Sequence, residues 1–147
     1  MSGWDGAISE GSLEKTERWI DRPSVRWLPA VAWAGCIFYL SSLPQRDIPR
    51  MLFPQQDKVM HLGLYAFLGF FLAHGMRLRR IANLSGDIWK QIALALVIGA
   101  IYGLSDEFHQ SFVEGRSSSM IDFLFDAIGT VLGALFLVIG SRMDRKS

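Results

Sequence analysis

The feature that most constrains this chain is a set of long apolar runs that carry no charged face. Trp27 to Leu43 reads WLPAVAWAGCIFYLSSL and holds no charge over 17 residues. Val59 to Met76 follows, with His61, Tyr65 and His74 as its polar members. A third run begins at Gln91, and a fourth spans Met120 to Gly140. A helix on a soluble domain mixes charge into its sequence so that one face meets water. These runs do not, so lipid is the solvent that suits them. A span needs roughly 17–25 apolar residues. The expected fold is therefore all-α, an integral membrane bundle of four transmembrane helices.

Composition agrees. Half of the 147 residues are hydrophobic and 20% are charged, and the charges sit in clusters between the runs. Mean hydropathy is +0.24. The net charge of +1 offers no basic stripe for phosphate backbones, so a nucleic-acid partner is not expected. Cys36 is the single cysteine, which excludes an intramolecular disulfide and a cysteine-based zinc site. The polar residues ahead of the first run, with several acids among them, make a poor signal-peptide n-region. No A-x-A cleavage site follows, so this helix is expected to be retained. The chain then divides into three parts. Residues 1–26 form an N-terminal segment in which Ser12 to Ile20 can lay an amphipathic turn or two on the membrane surface. Residues 27–141 form the four-span domain, and 142–147 a short tail.

Lysine and arginine set the orientation. Eleven of the 15 lie in the N-terminal segment, the loop between spans two and three, and the tail. The other two loops hold Arg46, Arg50, Lys58 and Arg116. The positive-inside rule places both termini in the cytoplasm, with the 44–58 and 111–118 loops outside.

Spans three and four have a peculiarity in common. Gln91 to Ser105 is charge-free for 15 residues, about 22 Å of helix, against a hydrocarbon core of about 30 Å. The third helix is thus expected to continue through Asp106, Glu107 and Gln110 at membrane depth. The fourth carries Asp122 and Asp126 in its first two turns. With the topology above, three polar groups meet at the outer end. Span two brings Asp57, Lys58, His61 and Tyr65. Span three brings Tyr102, Ser105, Asp106, Glu107, His109 and Gln110. The last loop and span four bring Arg116, Ser117 to Ser119, Asp122 and Asp126.

Helical spacing sorts these residues by face. His61 and Tyr65 share a face at i, i+4, as do Asp122 and Asp126, and as do Tyr102, Asp106 and Gln110. Gly129 and Gly133 continue the aspartate stripe, and Gly99 and Gly103 form a second small-xxx-small pair. Such pairs let helix backbones approach closely in lipid. An acid at the centre of a membrane helix costs roughly 2.5–3.5 kcal/mol, less near the interface. Four of them need partners or water, and Lys58, Arg116 and His61 are the available counter-charges. So many carboxylates cannot all ionise cheaply. A wet cavity open to the outside is the expected result. The plain alternative is a structural salt-bridge network, with Tyr65 and Tyr102 as interfacial aromatics, His109 facing water, and Ser117 to Ser119 capping span four.

These residues resemble the VanZ-like family of small bacterial membrane proteins. That family's pattern reads here as Asp57-Lys58-x-x-His61-x-x-x-Tyr65, then Asp106-Glu107-x-x-Gln110. It continues as Gly115-Arg116-x-x-Ser119-x-x-Asp122 and a glycine-bearing helix. FYLSS at 38–42 is similar to the family's first-span ending, and the resemblance runs from about residue 33 to 137. Two positions depart from the pattern: Asp126 stands where Asn is expected, and Glu114 where Pro is frequent. The resemblance implies a multi-pass protein of the bacterial plasma (inner) membrane with a role in the cell envelope. The founding member is linked to teicoplanin resistance.

Three functions follow as expectations. In the first, the chain binds or modifies a membrane lipid or lipid-linked envelope precursor at the outer leaflet. The ligand would be held by Lys58, Tyr65, Gln110, Arg116, Asp122 and Asp126, and altered glycopeptide susceptibility would be a by-product. In the second, it is a hydrolase or transferase on a lipid phosphate head group, with Asp57, His61, Asp106 and Glu107 as catalytic candidates. His61 or Glu107 would act as general acid/base and Asp106 as nucleophile or second carboxylate. In the third, the polar face is structural or relays protons or ions, which with so few spans would call for a homodimer. Whether the chain is an enzyme stays open. The acids with His61 offer ligands to a hard divalent cation, but no metal motif of dedicated spacing is present. No metal and no cofactor are expected.

Overall fold

The computed structural model describes residues 23–48, 53–77 and 88–143. The amphipathic turns expected over Ser12 to Ile20 lie outside the described residues. Among the described residues four long helices form: α1 (Pro23–Ser41), α2 (Gln56–Arg77), α3 (Ile88–Gln110) and α4 (Met120–Met143), with a 3-10 turn at Gln45–Asp47. Among the described residues there is no strand. α2, α3 and α4 are each long and apolar enough to cross a membrane, and α1 holds a shorter apolar stretch, Val25–Ser41. The described residues are thus all-helical in architecture, and the chain is a multi-pass membrane protein.

The helix boundaries refine the expected runs. α1 is described from Pro23, ahead of the apolar run, where a proline in the first turn of a helix forfeits no intrahelical hydrogen bond. It ends at Ser41, where the Ser41 and Ser42 hydroxyls both donate to the Phe38 carbonyl. α2 begins at Gln56, so Asp57 and Lys58 are helical and not loop residues. α3 continues to Gln110, as the short third run requires. α4 starts after Ser119, whose hydroxyl accepts the Asp122 N–H at 3.3 Å as an N-cap. The anticipated limits at 26/27 and 141/142 both fall inside helices.

α2 is the hub, touching each of the other three helices, and its contact with α4 is the most extensive in the fold. Glycine makes that contact. A Cβ on Gly129 would run into the Leu62 carbonyl, one on Gly133 into the Ala66 carbonyl, and one on Gly69 into the Thr130 carbonyl. The two backbones meet without side chains between them, as the small-xxx-small spacing anticipates. Gly99 and Gly103 do a different job: they receive the side chains of Thr130 and Asp126 from α4. Two polar contacts help to tie α1 on. Trp33 Nε1 donates to the Leu64 carbonyl at 2.8 Å, and the Tyr102 hydroxyl donates to the Ala34 carbonyl at 2.6 Å. Large apolar side chains such as Phe67, Ile101, Leu132 and Phe136 point outward, which suits lipid.

Candidate functional site

One end of the bundle carries the α1–α2 and α3–α4 connections, and these pack on each other. The Gln45 N–H donates to the Glu114 carbonyl at 3.2 Å, and Arg46 pairs with the Glu114 carboxylate at 3.3 Å. Val113 to Arg116 form a turn in which the Arg116 N–H donates to the Val113 carbonyl at 3.1 Å. Gly115, at φ 76°, occupies the left-handed region that this turn needs. Proline is favoured at the second position of such turns. That position is Glu114, which uses its carboxylate to bind the neighbouring loop instead.

Below these loops the expected polar groups of three helices meet. Lys58 Nζ lies 3.0 Å from Asp57 and 3.2 Å from Asp122, clamping α2 to the first turn of α4. One turn deeper, His61 Nδ1 lies 2.9 Å from Asp126 Oδ1, and Asp126 is fully buried. Glu107 on α3 accepts the Ser119 N–H at 2.6 Å, joining α3 to the start of α4. Asp106 accepts from the Gln110 side-chain amide at 3.1 Å within α3. His61, Asp106, Glu107, Gln110, Asp122 and Asp126 are all buried. Burial of this many polar groups is tolerable only where they pair or meet a ligand.

The pairing is incomplete. Tyr65 Oη, Asp106 Oδ1, Glu107 Oε1, Arg116 Nε and Asp126 Oδ2 are buried without a hydrogen-bond partner. Three of these residues, Tyr65, Asp106 and Arg116, line a cavity of about 120 Å³ together with Asp57, His61 and Gln110. That volume holds several waters. The rest of its lining is mostly apolar, from Ile37, Leu40, Leu43, Ile48, Met60 and Leu64, with Ser41 and Gln56 as further polar members. The cavity is amphiphilic, lined by both polar and apolar side chains.

The structure therefore brings all ten site candidates into direct hydrogen bonds or onto one cavity wall; Glu107 and Asp122 take part through hydrogen bonds and do not line the cavity. His61, Glu107 and Asp126 place ligand atoms within 4.8 Å of one another, a grouping that could hold a metal ion. Lys58 does not line the cavity; its ammonium serves Asp57 and Asp122. Some participants were not legible in the sequence. The Ser119 amide is a ligand to Glu107, and a backbone N–H carries no residue signature. His109 does not simply face water: its Nε2 lies 2.9 Å from Ser42 Oγ, and its ring stacks on Phe38. Thr130 donates to the Asp126 main-chain carbonyl at 2.8 Å, next to the site. A helical threonine after an acid at i, i+4 was the available signal for it.

Fold and site together define a class: a multi-pass helical membrane protein with a buried ionisable cluster at one end of the bundle. The sequence pattern of the VanZ/LLP1 family matches residues 12–141. The chain belongs to the VanZ-like family. The match is longer than the motif-bearing stretch and takes in part of the N-terminal segment. Neither the curated proteins nor the solved structures contain a match to the chain.

Proposed function

We propose that this VanZ-like protein binds the head group of a lipid or lipid-linked envelope component at the outer leaflet of the bacterial plasma membrane. In this reading α1 is a fourth span and both termini are cytoplasmic. The observation that carries it is the amphiphilic cavity with three orphaned buried polar atoms, on Arg116, Tyr65 and Asp106. A buried donor or acceptor left unpaired costs about 1–3 kcal/mol, so a ligand that satisfies all three gains affinity there. The Arg116 guanidinium suits a phosphate or carboxylate. Asp106 accepts from a hydroxyl or amine, and the apolar wall accepts an acyl or prenyl chain. A phosphate-linked sugar or amino alcohol on a lipid combines all of these. Glycopeptide susceptibility would change through the envelope such a molecule feeds.

A second reading is favoured by the His61–Asp126 pair. A carboxylate that fixes a buried imidazole facing a cavity is how general bases are oriented. The protein would then cleave or transfer the head group it binds, with Asp57, Asp106 and Glu107 at hand.

Lipid profiles of a strain lacking the gene, complemented by wild type, Arg116→Ala or Glu107→Gln, test both. Arg116→Ala is expected to lose at least about tenfold in function, as loss of a charged hydrogen bond does. A lipid mass shift of one head-group unit on complementation supports the enzyme. Full rescue by both variants would remove the cavity from either reading. The topology has a separate check. A reporter active only outside the cytoplasm is expected to work in the 111–118 loop and to fail when fused at residue 85; the reverse pattern overturns the orientation.

A further inference from the structure

We propose that His61, Glu107 and Asp126 form a binding site for one divalent transition-metal ion of the Zn²⁺ or Mn²⁺ class. The proposal rests on the geometry of these three side chains and stands apart from the identity of any head group. Their ligand atoms lie within 4.8 Å of one another, on three different helices, and all three residues are buried. Two ligands each about 2.1 Å from one ion are about 3.0 Å apart at right angles and about 4.2 Å apart when opposite. The 2.9 Å from His61 Nδ1 to Asp126 Oδ1 matches the first of these. The 4.8 Å that bounds the set exceeds the limit of about 4.2 Å by about 0.6 Å, so closure on one ion needs only a side-chain adjustment at its widest pair.

Two further observations point to an ion. Asp126 is 0% exposed and Glu107 6% exposed, yet Asp126 Oδ2 and Glu107 Oε1 each lack a partner. Each acid thus keeps a carboxylate lone pair available to a cation. Charge is also out of balance. Among the described residues no lysine or arginine forms an ion pair with Glu107 or Asp126; Lys58 is engaged by Asp57 and Asp122. One imidazolium cannot neutralise two buried carboxylates, whereas a divalent cation does so.

The surroundings fit a metal site. The Ser119 N–H holds Glu107 Oε2 at 2.6 Å and so orients the other oxygen. Gly103 leaves room beside Asp126, since a Cβ there would stand 3.2 Å from Oδ2. One imidazole with two carboxylates suits Zn²⁺ or Mn²⁺ better than Ca²⁺ or Cu⁺. His61 also lines the cavity, so an ion held here would border it with a coordination position to spare.

The test uses full-length protein in detergent, carrying a purification tag free of histidine. It is stripped with chelator, reloaded with ZnCl₂ or MnCl₂, desalted, and its metal content measured. About one ion per chain is expected, with a raised unfolding temperature. Glu107→Gln and Asp126→Asn keep shape and are each expected to lower metal affinity at least about tenfold. In the Mn²⁺ protein, nitrogen coupling in the electron spin resonance spectrum should vanish in His61→Gln. Wild type that retains no metal overturns the proposal whether or not the variants fold. Wild type and variants that retain metal equally overturn the assignment of these ligands.

Discussion

Gly133→Ala is expected to destabilise the folded protein by at least about 3 kcal/mol, the upper end of what overpacking costs. The added methyl would overlap the Ala66 carbonyl of α2. Backbone cannot rotate away as a flexible side chain does, so α2 and α4 would have to separate. Their interface is the largest in the fold, and it carries both the Lys58–Asp122 and His61–Asp126 pairs. The useful comparison is with Gly35→Ala and Gly63→Ala, where nothing lies within 4 Å of the new methyl. Those changes should be neutral or stabilising by up to about 1 kcal/mol, the ordinary helix gain of Ala over Gly. Unfolding in detergent, followed by the fluorescence of the five tryptophans, reads all three. Similar midpoints for Gly133→Ala and Gly63→Ala would mean that close backbone approach does not hold α2 to α4.

The second large effect belongs to the buried pair. Removing one partner of a buried ion pair costs about 3–5 kcal/mol, because the other charge stays behind in a poor solvent. His61→Leu is expected to show a loss of this size, since Asp126 is fully buried and has no other side-chain partner. The double variant His61→Leu/Asp126→Leu should recover most of it, because an apolar pair needs no partner. Asp126→Asn alone should be mild: its side-chain amide still reaches the imidazole. A double-mutant cycle on denaturant unfolding separates the cases. If His61→Leu costs the same in the wild-type and Asp126→Leu backgrounds, the two side chains are not coupled.

Asp126→Asn gains interest from the family pattern, in which Asn is expected at this place. Asn preserves the hydrogen bond to His61 and the shape of the site. It removes one carboxylate from the ligand set. The acid in this chain thus adds a charge that the pattern does not require, and the metal test above measures what that charge does.

Much of the architecture is legible in the order of residues. Apolar runs without a polar face admit only helices in lipid, because every backbone group must be satisfied within its own segment. The shortness of the charge-free third run already indicates that α3 carries Asp106, Glu107 and Gln110 as helical residues. The i, i+4 spacing places His61 with Tyr65 and Asp122 with Asp126, and the glycine pairs mark faces of close approach. All of these are properties of a single helix, set by the covalent chain and a fixed period.

Pairing between helices is a different matter. Lys58, Arg116 and His61 were equally available to Asp106, Glu107, Asp122 and Asp126, and spacing within a helix does not choose among them. The choice depends on how far each helix is rotated and shifted against its neighbours. In this fold the Gly129 and Gly133 contacts with α2 set that register. They put Lys58 level with Asp122 and His61 level with Asp126. Glu107 is left to the Ser119 amide, and Arg116 is left to the cavity. The residues of the site can thus be read along the chain, but their partners, and the atoms left without one, exist only once backbone packs on backbone.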